Sequence, residues 1–152
     1  MEASPINRFN LRVYGVLIDS GRLLLSDEIR LHTAMTKLPG GGIEYGEGVE
    51  EALKREWKEE LDTLIEVGEL LYVNPFFQRS GFRPSDQVIC FYYQVNLLEP
   101  LQIQVSQQPF DFPTDQNDQQ SFRWISLGDL WPETFTFPID QAFATHFLDP
   151  EE

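Results

Sequence analysis

The segment that decides the fold runs from Gly40 to Leu61 and reads "GGGIEYGEGVEEALKREWKEEL". It begins with three glycines and continues into a stretch rich in glutamate. Apolar residues recur in its second half at helical spacing, which predicts an amphipathic helix over residues 48–62. The same helix carries Glu56, Glu59 and Glu60, so three like charges fall close together. This crowding needs a physical explanation.

The three glutamates share one side of the predicted helix. At about 100° per residue, their carboxylates fall on a single arc, whereas Lys54 and Lys58 fall on the far side. Like charges three or four residues apart destabilise an isolated helix by roughly 0.2–0.5 kcal/mol per pair. A solvated acidic face would instead pair opposite charges at this spacing. A divalent cation removes the repulsion, and clustered carboxylate oxygens suit Mg²⁺ or Mn²⁺.

The residues around this arc favour an anionic ligand. A glycine triplet alone is typical of a turn, but it also lets the backbone approach a ligand closely. The glycines precede a helix start, where free N–H groups favour anions. We therefore expect Gly41 and Gly42 to contact a phosphate that lies between the backbone and the metal. Arg55 is the one cation beside the cluster, and its planar fork suits a carboxylate.

The composition limits the function classes. A chain of 152 residues suits one domain, 1–152. A net charge of −14 disfavours nucleic acid and anionic membranes as partners, although a bound cation still admits a small anionic substrate. Cys90 is the single cysteine and is expected to be a buried thiol in a reducing compartment. With neither a signal-peptide pattern nor an apolar run of about 20 residues, a cytoplasmic location is expected.

The remaining sequence predicts a mixture of strands and two helices. The "DSGR" turn predicts a hairpin, and the long apolar run around Cys90 predicts a central strand. A short extended segment is expected to end in a glycine-rich loop. Together the elements indicate an α/β or α+β sandwich. The predicted strands are 11–19, 22–28, 63–78 and 86–98, and residues 121–130 are predicted to be a strand that runs into a helical turn. The polar loop is 110–120, and the terminal helix is 137–148.

The segment 41–63 resembles the signature box of the Nudix hydrolases, of the MutT type. That box is a glycine, five residues, a glutamate, seven residues, Arg-Glu, two residues, Glu-Glu, one residue, a glycine and an aliphatic residue. The first glycine and all the charged positions are met here by Gly41, Glu47, Arg55, Glu56, Glu59 and Glu60. The preceding "LPGG" and the later "FRWISLGDL" extend the likeness over most of the chain. Asp62 and Thr63 depart from the pattern, and Asp62 is expected to end the helix in the left-handed region.

The resemblance implies an α/β/α sandwich with a central mixed sheet. It also implies Mg²⁺- or Mn²⁺-dependent hydrolysis of a nucleoside diphosphate linked to another moiety. On that basis Glu56, Glu59 and Glu60 are metal ligands together with the Gly40 carbonyl, and Glu59 is also catalytic. Arg55 is expected to orient a carboxylate, and Glu47 to lie at the rim of the metal site.

The general base varies within the family, and an acidic loop before the "WIS" strand supplies it in some members. Asp118 matches that position here, with Asp115 and Glu99 behind it, and Glu47 is the main competitor. A merely solvated loop is the plain alternative. Arg79 or Arg83 is expected to reach a distal phosphate.

Two other function classes compete with the enzyme. A non-catalytic Nudix-fold sensor of nucleotides is disfavoured because all the box carboxylates are present. An acidic structural protein leaves their clustering unexplained. The sequence leaves open oxidised nucleoside triphosphates, sugar nucleotides and dinucleoside polyphosphates as substrates, and it also leaves open a homodimer.

Overall fold

A computed structural model describes residues 4–149, which form eight strands and two α-helices. The strands are β1 (Arg8–Val16), β2 (Ile18–Asp19), β3 (Arg22–Arg30), β4 (Thr33–Lys37), β5 (Gly40–Gly42), β6 (Ile65–Val73), β7 (Asp86–Leu97) and β8 (Gln119–Ser126). The helices are α1 (Val49–Leu61) and α2 (Pro138–Leu148), with short 3₁₀ turns at Leu127–Asp129 and Pro132–Thr134. Within the described range, neither helix has the length and apolar character to span a bilayer.

The strands are divided between two sheets. The first sheet has the strand order β5-β1-β7-β6. It is mixed, because β1 and β7 are parallel, whereas β1 with β5 and β6 with β7 are antiparallel pairs. In the second sheet β3 pairs antiparallel with β2, β4 and β8. The predicted α/β sandwich with a mixed sheet is confirmed. The prediction that the run around Cys90 is a central strand is confirmed as well, since β7 lies between β1 and β6.

The two helices cover opposite sides of this framework. Successive strand residues point to opposite faces, so Val13 packs in the core with Trp57 of α1, while Tyr14 packs with Phe143 of α2. Trp57 and Phe143 are both fully buried. The burial of each of these side chains stabilises the folded state by roughly 2–3 kcal/mol. The three-layer α/β/α arrangement follows directly from this alternation.

The predicted hairpin needs correction. Residues 11–19 are not one strand, because the chain leaves β1 after Val16 and passes from the first sheet to the second at Leu17. Val16 and Leu17 are both buried, one in each core, which accounts for the break. Of the predicted strand 11–19, only the two residues of β2 pair with β3. The turn between β2 and β3 contains Gly21, which has φ 75°.

The glycine triplet is a strand and not a loop, which corrects a second expectation. It forms β5 and pairs antiparallel with β1, with Gly41 opposite Val13. A Cβ on Gly40 would lie 2.1 Å from the Val13 carbonyl oxygen, and Gly40 has φ 154°. Only glycine permits this approach, so the triplet brings its backbone directly onto the central sheet.

The helix end is as the sequence predicts. Asp62 adopts φ 50° and ψ 43° in the left-handed region, and its N–H donates to the Lys58 carbonyl over 3.1 Å. The Asp62 carboxylate also lies 2.8 Å from Lys58 Nζ. Thr63 is buried, and its hydroxyl donates to the Leu61 carbonyl over 2.8 Å. The two departures from the box are therefore accommodated by local hydrogen bonds.

Candidate active site

Arg55 orders the carboxylates that the sequence crowds together. Its Nε and Nη2 donate to the two oxygens of Glu47 over 2.9 and 2.6 Å. Nη1 donates to Glu56 over 3.1 Å and to Glu59 over 3.2 Å, and Nη2 also donates to the Gly42 carbonyl over 2.9 Å. One guanidinium thus binds three carboxylates and the glycine-rich strand. This hub partly relieves the like-charge repulsion of α1.

Gly41 sets the position of the Glu56 carboxylate. A Cβ added to Gly41 would lie 2.6 Å from both the carboxyl carbon and one oxygen of Glu56. Any larger residue would push the carboxylate away from β5. The relative solvent exposure of the Glu56 side chain is only 14%. The glycine therefore places a nearly buried carboxylate against the backbone of the central sheet.

Glu60 belongs to a second group of contacts. Its Oε2 accepts from Gln120 Nε2 over 3.1 Å, and the same nitrogen donates to Glu28 over 3.2 Å. Glu28 is buried and pairs with Lys37 Nζ at 3.3 Å. Burial raises the pKa of Glu60 from 4.5 to about 7, and the charges of Glu28 and Glu56 add to this while Lys37 opposes it. Negative charge at Glu60 is therefore incompletely balanced by the protein.

This donor set suits a hard divalent cation, although it is not preassembled. Within residues 4–149 no three His, Cys, Asp or Glu side chains are grouped in a way that would hold a metal ion. Arg55 holds Glu56 and Glu59, whereas Gln120 holds Glu60, so the carboxylates face separate partners. The oxygen donors and the unbalanced charge at Glu60 fit Mg²⁺ or Mn²⁺. The metal roles of these glutamates and of the Gly40 carbonyl stay predictions.

A cavity of about 530 Å³ lies beside these groups. It is bounded by β1, β3, β4 and β7, by the segment 78–82 and by the start of α2. Its apolar walls include Met35, Val88 and Phe137. In a chain with 25 acidic and 11 basic residues, a concentration of cations here suits an anionic ligand. The charged residues that line it are Arg12, Glu28, Arg30, Lys37, Arg79, Asp118 and Asp140.

Asp118 lies at the rim of this cavity. Its exposed carboxylate is 3.8 Å from Arg30 Nη1, and Arg30 Nε is 3.4 Å from Glu28. A chain of polar contacts thus connects Asp118 with the Gln120 amide that Glu60 accepts from. Asp115 and Glu99, the other candidates for the base, are not among the residues that line the cavity.

The Asp118 loop is attached to the sheet by a buried aspartate. Asp27 accepts from Thr36 Oγ1 over 2.7 Å, from Arg123 Nε over 2.7 Å and from the Phe110 N–H over 3.2 Å. The Asp27 side chain is fully buried. Through the Phe110 N–H, Asp27 anchors the start of the segment 110–118. The loop is therefore attached to the sheet at this end. This contact favours a defined position for Asp118.

Glu47 is a poor proton acceptor in this arrangement. Its hydrogen bonds from Arg55 lower the pKa of its carboxyl from 4.5 to about 2, with a further contribution from the Glu44 N–H. A general base works best when its pKa lies near the working pH. The geometry therefore favours Glu47 as a residue that positions Arg55.

The two candidate phosphate-binding arginines lie in different surroundings. Arg79 lines the cavity, and its Nη1 donates to the backbone carbonyls of Ser4 and Pro84. Arg83 is exposed and is not one of the residues that line the cavity. Of the pair, Arg79 is the one placed to meet a ligand there.

Sequence reasoning missed several residues of the site. Arg12 donates from Nε to the Tyr14 hydroxyl over 2.7 Å, and Lys37 Nζ lies 5.6 Å from the centre of the Tyr14 ring. The alternation of Arg12 and Tyr14 along β1 was the only local signal that both face the same side. Glu28 and Gln120 meet only because β3 pairs with β8. Such contacts between distant segments leave no trace in local patterns.

Comparison with known proteins identifies the family. The family model described as "NUDIX domain" matches residues 8–146. No match was found among curated proteins. The structure is similar to the Escherichia coli ORF135 protein, at 19% identity and TM-score 0.70, covering 95% of this chain and 96% of that one. It is also similar to the MutT protein of Methanosarcina mazei Go1, at 17% identity and TM-score 0.70, covering 98% and 100%.

A third similar structure is an ADP-ribose pyrophosphatase from Streptococcus suis 89-1591, at 17% identity and TM-score 0.53, covering 94% of each chain. At such identities these likenesses show the fold alone. The predicted Nudix resemblance is confirmed by the family model and by the shared architecture.

Proposed function

The chain belongs to the Nudix family, and from that premise we propose that it is a metal-dependent pyrophosphohydrolase. Its substrate is a nucleoside diphosphate linked to another moiety, such as a nucleoside triphosphate, a sugar nucleotide or a dinucleotide. One observation carries this proposal: the carboxylates of α1 connect to a cavity lined by four cationic side chains, because Glu60 shares the Gln120 amide with Glu28 of the cavity wall. A phosphate chain held between the two has a cationic wall on one side and a metal-binding face on the other.

The protein groups divide the work in this proposal. Arg55 fixes the carboxylates of Glu56 and Glu59, and Gln120 fixes that of Glu60. A bound Mg²⁺ or Mn²⁺ would neutralise phosphate charge and lower the pKa of the attacking water. The carboxylates thus have separate protein partners, and a bound cation would draw them onto one centre.

The substrate class is tested by one panel assay. Nucleoside triphosphates, sugar nucleotides and dinucleoside polyphosphates are incubated with the protein and Mg²⁺ or Mn²⁺, and release of phosphate or nucleoside monophosphate is followed. Turnover of at least one class is expected. Nucleotide binding without turnover of any of them would establish the rival function, a nucleotide sensor.

Metal binding gives a separate prediction. Replacing Glu59 by glutamine should weaken Mn²⁺ binding about tenfold or more, because one charged oxygen donor is lost from an exposed position where refolding effects are small. Calorimetric titration measures the affinity. Glu50→Gln is the matched control, since Glu50 is an exposed glutamate in the first turn of the same helix. Equal affinities for the Glu59 variant and wild type would remove this residue from the metal site.

The general base gives another prediction. If Asp118 accepts the proton of the attacking water, Asp118→Asn should lower kcat by about 10²–10⁴-fold with little change in Mn²⁺ affinity. Glu47→Gln should act mainly through the position of Arg55, so metal affinity and thermal stability should fall along with kcat. Steady-state kinetics at saturating metal compare the two variants. A near-wild-type kcat for the Asp118 variant would end its candidacy.

A further inference from the structure

Arg12 is a half-buried cation without an acidic partner among the described residues. Its Nε donates to the Tyr14 hydroxyl over 2.7 Å, and its side chain lines the cavity. Among residues 4–149 no carboxylate pairs with it, and its Nη1 and Nη2 donate to no protein acceptor. Acidic residues outnumber basic ones by 25 to 11 in this chain. A half-buried arginine that lines a cavity and has free donors is therefore unusual here, and it points to an anion that comes from outside the protein.

The other cations of the cavity already have partners. Lys37 pairs with Glu28 at 3.3 Å, and Arg30 lies 3.4 Å from Glu28 and 3.8 Å from Asp118. Arg79 donates to backbone carbonyls. Within the described part of the chain, Arg12 is the cavity cation that contacts neither a carboxylate nor a backbone carbonyl, since its one hydrogen bond goes to the Tyr14 hydroxyl.

The position of Arg12 indicates which part of a ligand it meets. It lies opposite Gly42 in the pairing of β1 with β5, and a Cβ on Gly42 would be 3.8 Å from Arg12 Nη1. The carbonyl of that glycine accepts from Arg55. Arg12 therefore stands at the boundary between the carboxylate hub and the cavity.

We propose that Arg12 forms a phosphate subsite at this boundary. Its two terminal nitrogens bind the phosphate that joins the moiety in the cavity to the bond that is cleaved. The inference builds on the proposed hydrolase function, because it assigns the nucleoside end of the substrate to the cavity. A planar fork suits two phosphate oxygens better than the point charge of a lysine does. The subsite needs no metal, since its charge comes from the arginine itself.

The test measures binding of inorganic pyrophosphate in the presence of EDTA by NMR titration. Wild type should bind it saturably, with a shift of the Arg12 Nε–H resonance. Arg12→Gln should weaken binding roughly tenfold to a hundredfold, and Arg12→Lys should restore part of it. Arg22→Gln is the control, because Arg22 is exposed and stacks on Trp124. Thermal unfolding verifies that each variant is folded.

Three outcomes overturn the subsite: wild type fails to bind pyrophosphate, the Arg12 resonance is unaffected at saturation, or Arg12→Gln binds as tightly as wild type. The hydrolase proposal is judged separately by turnover with metal. Loss of pyrophosphate affinity in Arg12→Gln without turnover in wild type would leave the subsite standing and refute the enzyme. Turnover in wild type, together with an Arg12→Gln variant that binds pyrophosphate as tightly as wild type, would refute the subsite and leave the enzyme standing.

Discussion

Glu60→Gln should lower kcat by about three orders of magnitude while the folded state becomes no less stable. The catalytic loss is expected because the variant lacks the negative oxygen that Glu60 is proposed to offer the metal, and electrostatic stabilisation is strongest in the transition state. The fold survives because glutamine has the same shape and its amide oxygen still accepts from Gln120, as Glu60 does over 3.1 Å. Activity and stability are thus expected to change in opposite directions.

The pH dependence of the unfolding free energy gives the reason why the Glu60 variant is expected to be no less stable than wild type. Burial raises the pKa of Glu60 from 4.5 to about 7 in the folded state. Between these two values the native protein binds more protons at this site than the unfolded chain does. Stability is therefore lost as the pH rises from about 4.5 to about 7 and stays lower above that. Glu60→Gln removes this dependence, so its advantage over wild type should be largest above pH 7 in metal-free buffer.

Two measurements check the Glu60 prediction. Steady-state kinetics with saturating Mg²⁺ give kcat, and thermal unfolding in EDTA at pH 5 and pH 8 gives the stability difference. Glu50→Gln serves again as the matched loss of one negative charge from α1, and it should leave both quantities near those of wild type. A Glu60 variant with normal kcat would remove this residue from the proposed metal site, and one less stable than wild type at pH 8 would show that its buried charge does not destabilise the fold.

Arg55→Lys should lower kcat/KM by at least about a hundredfold although it keeps the charge. Lysine presents a point charge, whereas Arg55 donates in fixed directions to Glu47, Glu56, Glu59 and the Gly42 carbonyl. Without the fork, the carboxylates of α1 repel one another and lose their common orientation. Turnover assays at several Mn²⁺ concentrations measure the effect, and high Mn²⁺ should recover only part of the activity.

Arg55→Met should in addition destabilise the metal-free protein by about 2–4 kcal/mol, because partly buried carboxylates lose the cation that balances them. Denaturant unfolding measures this change. Lys54→Met is the control, since Lys54 is the exposed neighbour on the same helix and its loss removes the same charge. Equal effects of the Arg55 and Lys54 variants would mean that net charge, and not the hub, stabilises the site.

The sequence was informative where the determining interactions are local. Helix α1 was predicted within one residue at each end, because its apolar spacing and its left-handed end at Asp62 lie within the segment itself. The crowding of Glu56 and Glu59 around Arg55 was visible for the same reason, since all three residues lie within about one helical turn. The apolar character of β7 likewise identified a central strand.

The parts that sequence reasoning missed depend on pairing between distant segments. Glu28 and Gln120 are 92 positions apart and meet only through the register of β3 with β8. Arg12 and Lys37 come from different sheets and approach the same tyrosine ring. The break at Leu17 was hidden because the residues on both sides of it have ordinary strand character. Composition and periodicity carry no information on which sheet a strand joins.

The neighbouring acids Asp27 and Glu28 have a consequence for folding. They point to opposite faces of β3, where Asp27 meets Arg123 and Glu28 meets Lys37. A slip of one residue in the alignment of β3 with β8 would exchange the two faces. The shorter acid would then face Lys37, and the longer one would be forced into the closed space beside Arg123. Each mismatch leaves a buried charge without its partner, at a cost of several kcal/mol. The pair thus favours the observed register of β3 with β8 over one shifted by a single residue.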